Sequence, residues 1–231
     1  MDNFTFQRKI KKLNFNNIFY PTDTSRLLIN SCSKYLKSKQ KILDLGCGGG
    51  VVSYFIHKQK IKQEFFLSDI DEIALQRAKE NLKKKKIKAT FLSGSLFKPW
   101  KGKKFDLIIN DVSGVSSEIV KISHWFKNAT SDNTKGGIYF LKKIISQSKK
   151  HLNKNSLIFV PIISLSNVKE AQRFLKKNLK IIELNKFYWP MPKYLVKKIG
   201  FLKNLKKKNY IDFEKKYGAW LCYTIVAVCK R

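Results

Sequence analysis

The chain is short of acids and of arginine. Of its 231 residues only 16 are Asp or Glu, against 48 Lys and Arg, giving a formal charge of +32 at pH 7. Arginine contributes Arg8, Arg26, Arg77, Arg173 and Arg231 alone, so 43 of the cations are lysines. A surface this basic draws polyanions at long range. Arginine's planar fork, which nucleic-acid readers favour for phosphate and guanine, is nevertheless scarce, and lysine acts as a point charge. The composition therefore fits a general lysine bias as well as a dedicated RNA or DNA surface. Cysteines are few, at Cys32, Cys47, Cys222 and Cys229, with no CxxC pair. That spacing suggests neither a zinc site nor a disulfide framework, and the expected reading is buried or incidental thiols kept reduced. No apolar run is long enough to span a membrane: the longest, 218–229, is about half a span and is interrupted by polar residues. The first residues, MDNFTFQRKIKKLNF, lack the apolar centre of a secretory leader, so the expected location is cytoplasmic. With 43% hydrophobic and 13% aromatic residues, a disordered or collagen-like chain is excluded.

What is present alternates strand and helix. Residues 1–20 read as a basic N-terminal arm dotted with aromatics and without a clear period. Asp23 or Thr24 caps a helix running to about 37. Strands are expected at 41–45, 64–68, 89–92, 105–109 and 157–162, and helices at 51–58, 71–84, 137–152 and 167–179. Residues 180–184 are strand-like, Trp189-Pro190-Met191-Pro192 reads as an irregular bend, and Lys206-Lys207-Lys208 as a surface loop. The aromatic and β-branched run 220–228 reads as a final strand. This alternation predicts an α/β Rossmann-like fold, a doubly wound sheet of seven strands, mostly parallel with an antiparallel C-terminal strand. The expected division is the arm, 1–20, and one domain, 21–231, with a cofactor half to about 115 and an acceptor half beyond it.

The chemistry concentrates in KILDLGCGGGVVSYF, residues 41–55. A strand delivers Asp44, then Gly46, Cys47, Gly48, Gly49 and Gly50, and a helix begins. Glycines there permit a tight turn and let a ligand lie against backbone, and free N–H groups at the helix start suit a carboxylate or other anion. The second strand ends at Asp69, where a carboxylate can accept both hydroxyls of a ribose. A nicotinamide or flavin fingerprint would need glycine or alanine where Val51 stands. Asp44 would also repel a pyrophosphate and suits an ammonium-bearing ligand. S-adenosylmethionine offers an ammonium, a carboxylate and a ribose, and carries no phosphate.

On these residues, with the lead-in FYPTDTSRLL (19–28), SDIDEIALQRAKENL (68–82) and FDLIIN (105–110), the chain resembles the class I S-adenosylmethionine-dependent methyltransferases. Within them it is similar to the small-domain branch that includes release-factor glutamine and ribosomal RNA guanine methyltransferases. The resemblance spans about residues 20–162. It implies that Thr24 lies near the cofactor, that Asp44 and Gly46 meet its methionine end, that Asp69 takes the ribose hydroxyls, and that Ser95 and Leu96 border the adenine. Relatives commonly carry an acid where Ser95 stands. The branch has NPPY after its fourth strand, where this sequence has Asp111-Val112-Ser113-Gly114. Asp111 can still accept hydrogen bonds from a target nitrogen, or act as general base toward a hydroxyl.

Blander roles stand beside these. Asp71 is the better cap for the helix after Asp69. His124 and Trp125 either line an acceptor pocket or belong to a core face with Ile119 and Ile122. His57 and His151 read as surface residues, and the lysines at 83–86 as favourable charge at a helix C-terminus. The expected activity is methyl transfer from S-adenosylmethionine to RNA or a translation-associated protein, with Asp111 orienting or deprotonating the acceptor, no metal and no membrane. Two rivals are an aminopropyltransferase using decarboxylated S-adenosylmethionine and a non-catalytic RNA-binding protein on the same fold.

Overall fold

The computed structural model describes residues 1–112, 114–124 and 134–231. The sheet is built from β1 (Gln40–Leu45), β2 (Gln63–Asp69), β3 (Ala89–Ser93), β4 (Phe105–Asn110), β5 (Leu152–Ile163), β6 (Lys180–Pro190), β7 (Glu214–Lys216) and β8 (Ala219–Lys230). Its order is β3-β2-β1-β4-β5-β8-β6, with β7 paired to β8. Strands β1 to β5 are mutually parallel, and β8 runs antiparallel to β5, β6 and β7. The Rossmann-like reading holds, with eight strands among the described residues in place of seven. The extra one, β7, has three residues, Glu-Lys-Lys, and so carries no apolar alternation that a sequence could display.

Helices cover both faces. On one lie α1 (Asn3–Ile10), α2 (Asp23–Ser33), α3 (Val51–His57) and α4 (Glu72–Lys83). Leu28, Val52, Phe55, Ala78 and Leu82 of these helices pack with Ile42, Leu67 and Ile109 of the strands. The other face carries α6 (Tyr139–Ser148) and α7 (Val168–Asn178), whose Ile144, Ile145 and Leu175 meet Leu43, Leu45, Ile108 and Ile158. Neighbouring strand residues thus serve opposite cores, which is why strands buried on both sides read as unbroken apolar runs. A third cluster joins α5 (Ser117–Val120), α8 (Lys193–Val196) and α9 (Ile199–Lys207) through Ile119, Leu195, Leu202 and Leu205.

Several local expectations change. Residues 3–10 form a helix whose Phe6 and Ile10 are fully buried; a two-residue apolar anchor is too little to show a period. Thr22, not Asp23 or Thr24, caps α2, its side chain accepting from the Thr24 N–H. Asp71 caps α4 as expected, accepting from Ile73 and Ala74. Strand β6 runs on through Trp189 and Pro190. It is an edge strand, where the N–H that proline lacks is not needed. Lys206 and Lys207 end α9 instead of lying in a loop. His151 is buried and stacked on Phe97, ring centroids 4.5 Å apart, with Nδ1 2.9 Å from the Lys103 carbonyl oxygen. All four cysteines are free and buried.

Candidate functional site

The strand order reverses at β1, whose neighbours are β2 and β4. A cavity of about 430 Å³ opens where the carboxyl ends of these strands part, the position where open α/β sheets take their ligands. Three glycine dihedrals shape the loop along its floor: Gly46, Gly48 and, behind them, Gly50 have φ of +72°, +50° and +75°. The Gly46 and Cys47 N–H groups donate to the Ser68 carbonyl, at 2.9 and 3.1 Å, which folds the loop onto β2. A Cβ on Gly46 would stand 2.7 Å from Val112 Cγ2, whereas one on Gly48 would meet nothing within 4 Å. Gly48 therefore presents bare backbone to open space.

Asp69 lines this cavity with both oxygens oriented by main chain: Oδ2 accepts the Gly48 N–H at 2.8 Å and Oδ1 the Asp71 N–H at 3.0 Å. Burial raises its pKa, and those two N–H groups oppose the rise. Asp111, at the end of β4, accepts from Ser25 Oγ at 2.8 Å through Oδ2. Burial pushes its pKa up to about 8; the Ser25 bond pulls down, and the charges of Asp44 and Asp69 push further up. Thr24, Gly46, Gly48, Ser95 and Leu96 also line the cavity. Leu96 has φ of +51°, and the Gly94 N–H donates to the Asp69 carbonyl at 2.9 Å, tying the third-strand turn to the second.

Three of the residues read from the sequence lie elsewhere. Asp44 is fully buried behind the loop and not in the cavity wall; its Oδ2 accepts the Ser53 N–H and O–H, at 3.2 and 2.7 Å. Its Oδ1 is buried with no hydrogen-bond partner, and burial lifts its pKa to about 7. Gly50 sits under the loop as the left-handed cap of α3, where a Cβ would stand 2.8 Å from Leu82 Cδ1. It serves helix packing. His124 is exposed, its ring 5.4 Å from that of Tyr194, and it does not line the cavity. Ser113 and Trp125 lie outside the described residues.

Other wall residues went unread in the sequence. Ser25 follows Thr24 directly, and its role shows only once α2 lies against β4. Phe19, Phe140 and Trp189 supply aromatic walls, and Trp189 comes from a strand far along the chain. The charge of the wall is the most telling feature. Among the described residues it carries Asp23, Asp69, Asp71 and Asp111, and no lysine, arginine or histidine, in a chain of net charge +32. Asp23 pairs with Arg26 at 2.8 Å and burial holds a proton on Asp111, yet with no described cation beside Asp69 and Asp71 the wall still favours a cationic group. No group of three metal-ligating side chains occurs among the described residues, and no described helix is long and apolar enough to cross a membrane.

Residues 21–112 match the family described as methyltransferase small domain. The match covers less than half of the chain. Its likeness to named proteins runs a little further. The release factor glutamine methyltransferase of Borreliella burgdorferi is 34% identical over 131 residues, covering 52% of this chain and 44% of that protein. The ribosomal protein L11 methyltransferase of Thermosipho africanus is 34% identical over 134 residues, 58% of this chain and 48% of that protein. The chain thus spans about half the length of the curated relatives it matches. Among solved structures, the T. Thermophilus 16S rRNA N2 G1207 methyltransferase, in complex with AdoMet and guanosine, superposes with a TM-score of 0.57. That pair shares 13% identity over 93% of this chain and 45% of the other, which shows a shared fold.

The cavity fits S-adenosylmethionine by its own donor set. A wall with no cation among its described residues suits a sulfonium and an ammonium. The bare backbone at Gly48 leaves room that a side chain would fill. Asp69, held by two N–H groups at the cavity wall, would have its remaining lone pairs for a pair of hydroxyls. The unpartnered Asp44 oxygen adds negative potential directly behind the glycine loop.

Proposed function

We propose that the protein is an S-adenosylmethionine-dependent methyltransferase acting on RNA or a translation-associated protein, with RNA the favoured acceptor. The observation that carries this reading is an acidic cavity with no cation among its described lining residues, built on a glycine loop and Asp69, inside a strongly basic chain. When bound, S-adenosylmethionine supplies an electrophilic methyl group on a sulfonium. The residues assigned to hold it are Thr24, Gly46, Gly48, Asp69, Ser95 and Leu96, with Asp44 acting through the loop in front of it.

Asp111 is the residue assigned to the acceptor. Ser25 occupies its Oδ2, which leaves Oδ1 to accept an N–H or O–H from the acceptor and to steer the nucleophile. When ionised, Asp111 can take the acceptor's proton; when protonated, it offers the same carbonyl-like acceptor that an asparagine would. Phe19, Phe140 and Trp189 exclude water from the approach and offer faces to a planar group. Holding the two reactants in line is the main source of rate, since orientation alone can lower a barrier by about 7 kcal/mol.

The test is calorimetric titration with S-adenosylmethionine, S-adenosylhomocysteine and decarboxylated S-adenosylmethionine, followed by a radiolabelled-methyl screen on RNA and protein extracts. Micromolar binding of the first two with label entering an acceptor supports the reading. Preference for the decarboxylated compound supports aminopropyl transfer, and no binding by folded protein refutes both.

A further inference from the structure

The lysines are not spread evenly about the sheet. Runs at Lys83–Lys86, at residues 101–104 and at residues 149–150 directly precede β3, β4 and β5. They lie at the amino edge, away from the cavity. Strand β6 is antiparallel to β8, which is antiparallel to β5, so β6 points the same way as β1. Its last residues reach the carboxyl edge, where Trp189 enters the cavity wall. The helices α8 and α9 follow immediately.

Residues 191–210 contain seven lysines and no acid, and all seven are exposed. Lys206 pairs with Asp212 at 2.8 Å, while Lys193, Lys197, Lys198, Lys203, Lys207 and Lys208 make no ion pair with any described carboxylate. The inner faces of these helices are firmly seated. Leu195, Leu202 and Leu205 are buried in one cluster with Val115 and Leu165, two residues that also line the cavity. The lysine face and the cavity wall are thus opposite sides of one packed layer. Two aromatic rings lie among the cations: Phe201 is 42% exposed, and Lys203 and Lys215 stand 5.5 and 5.4 Å from the centre of the Trp220 ring.

We propose that the outer face of α8 and α9 is the docking surface for a single-stranded stretch of RNA, which it holds by the phosphate backbone beside the cavity. A basic rim around an acid wall sorts the parts of such a partner. Phosphates stay on the lysines, and only an uncharged or cationic group, such as a base, passes inward. Bases also have faces that stack on rings such as Phe201, at little cost in sequence preference. An acidic protein segment would satisfy the lysines but makes no use of the rings. The choice of RNA rests on the proposed methyltransferase reading; the placement of the surface does not.

The experiment compares two triple variants of the full chain. One is Lys197→Glu/Lys198→Glu/Lys207→Glu on the proposed face; the other is Lys83→Glu/Lys84→Glu/Lys85→Glu at the amino edge. Binding of a fluorescein-labelled mixed-sequence RNA of about 20 nucleotides, a length that spans one or more protein-sized sites, is followed by anisotropy across a salt series. S-adenosylmethionine binding to each variant is measured in parallel. The first triple is expected to weaken RNA binding at least tenfold. It should also flatten the salt slope by about 2, since each single-strand phosphate contact contributes about 0.7. The second should change neither by more than about a third of that. The glutamine version of the first triple, which removes charge without reversing it, should shift both in the same direction. Equal losses from the two triples overturn the proposal, as does displacement of the RNA by polyglutamate at matched charge. If wild-type protein binds RNA in this pattern but takes no S-adenosylmethionine, the methyltransferase reading falls and the surface stands.

Discussion

Ser25 Oγ donates to Asp111 Oδ2 at 2.8 Å, joining the first turn of α2 to the end of β4. The bond fixes one oxygen of the carboxyl and so determines which one is left for an acceptor. Ser25→Ala should lower kcat roughly tenfold through lost alignment while leaving S-adenosylmethionine affinity within about twofold, as expected for one hydrogen bond lost at a buried carboxyl. Steady-state kinetics beside calorimetry separates the two quantities. An unchanged kcat would show that Asp111 is oriented by other means.

The pH profile follows from the same pair. Asp111 faces Ser25 from α2 and the charges of Asp44 and Asp69, with no described cation on the cavity wall. Its proton is therefore held up to about pH 8 in the free protein. If ionised Asp111 receives the acceptor's proton, kcat/KM should rise with pH toward a plateau above about 8. The limb in kcat should lie at lower pH, because a bound sulfonium favours the carboxylate. Asp111→Asn should remove that limb, and a persistent limb in the variant would assign it elsewhere.

Stability should move in the opposite sense. Burial lifts the Asp111 and Asp44 carboxyls to about 8 and about 7 in the folded protein, above the ordinary aspartate value of about 3.9. A carboxyl that keeps its proton more tightly when folded adds stability below its unfolded pKa and loses it as pH climbs through the folded one. Thermal midpoints of the ligand-free protein should thus fall between pH 5 and pH 8, about the interval separating those values. Asp111→Asn should match wild type near pH 4 and exceed it by a few degrees near pH 8. Scanning calorimetry across that range checks the sign.

Asp69→Ala removes the partner of two main-chain N–H groups, Gly48 and Asp71. Since hydrogen bonds to a charged group contribute about 1.5–3 kcal/mol each, S-adenosylmethionine affinity should fall by about two orders of magnitude or more. The α4 cap at Asp71 is a separate set of bonds, so circular dichroism should show the fold retained. Affinity unchanged in a folded variant would move the ribose site elsewhere.

Asn81 is a clip between the N-terminal segment and the glycine loop. Its side chain accepts the Asn14 N–H at 2.7 Å and donates to the Asn14 and Gly49 carbonyls at 3.0 and 2.9 Å. Phe15 lies close enough that a Cβ on Gly49 would stand 2.7 Å from its ring. Asn81→Ala should cost about 2–4 kcal/mol for three lost bonds at a buried position. Hydrogen exchange should quicken in residues 10–20 and in the loop together. Faster exchange in the helix alone would show that the two segments are not joined through this side chain.

The parallel half of the fold was legible because each element carried its own local signal: apolar strands, the Gly46–Gly50 turn and the Asp71 cap. Gly46, Gly48, Asp69, Thr24, Ser95, Leu96 and Asp111 all line the one cavity, so residues far apart in sequence could be brought together by motif spacing. What escaped depends on tertiary packing. Helix α1 is held by two buried side chains, β7 by pairing with β8, and Trp189 reaches the wall only because β6 extends through a proline at a sheet edge. The sign of the cavity wall was hidden as well, since net composition averages four aspartates against 48 scattered cations.

Strand β8 occupies an inner lane of the sheet, with β5 on one side and β6 on the other. Residues 180–190 therefore leave the ribosome before the strand they must pair with exists. Until residues 219–230 arrive, β5 keeps an open edge and the clusters around Val226, Ala227 and Cys222 remain unfilled. Such non-local closure slows folding and leaves sticky intermediates. A chain halted near residue 218 should accumulate as an aggregation-prone species, and synthesis at low temperature or with chaperones should raise the soluble yield of the complete one.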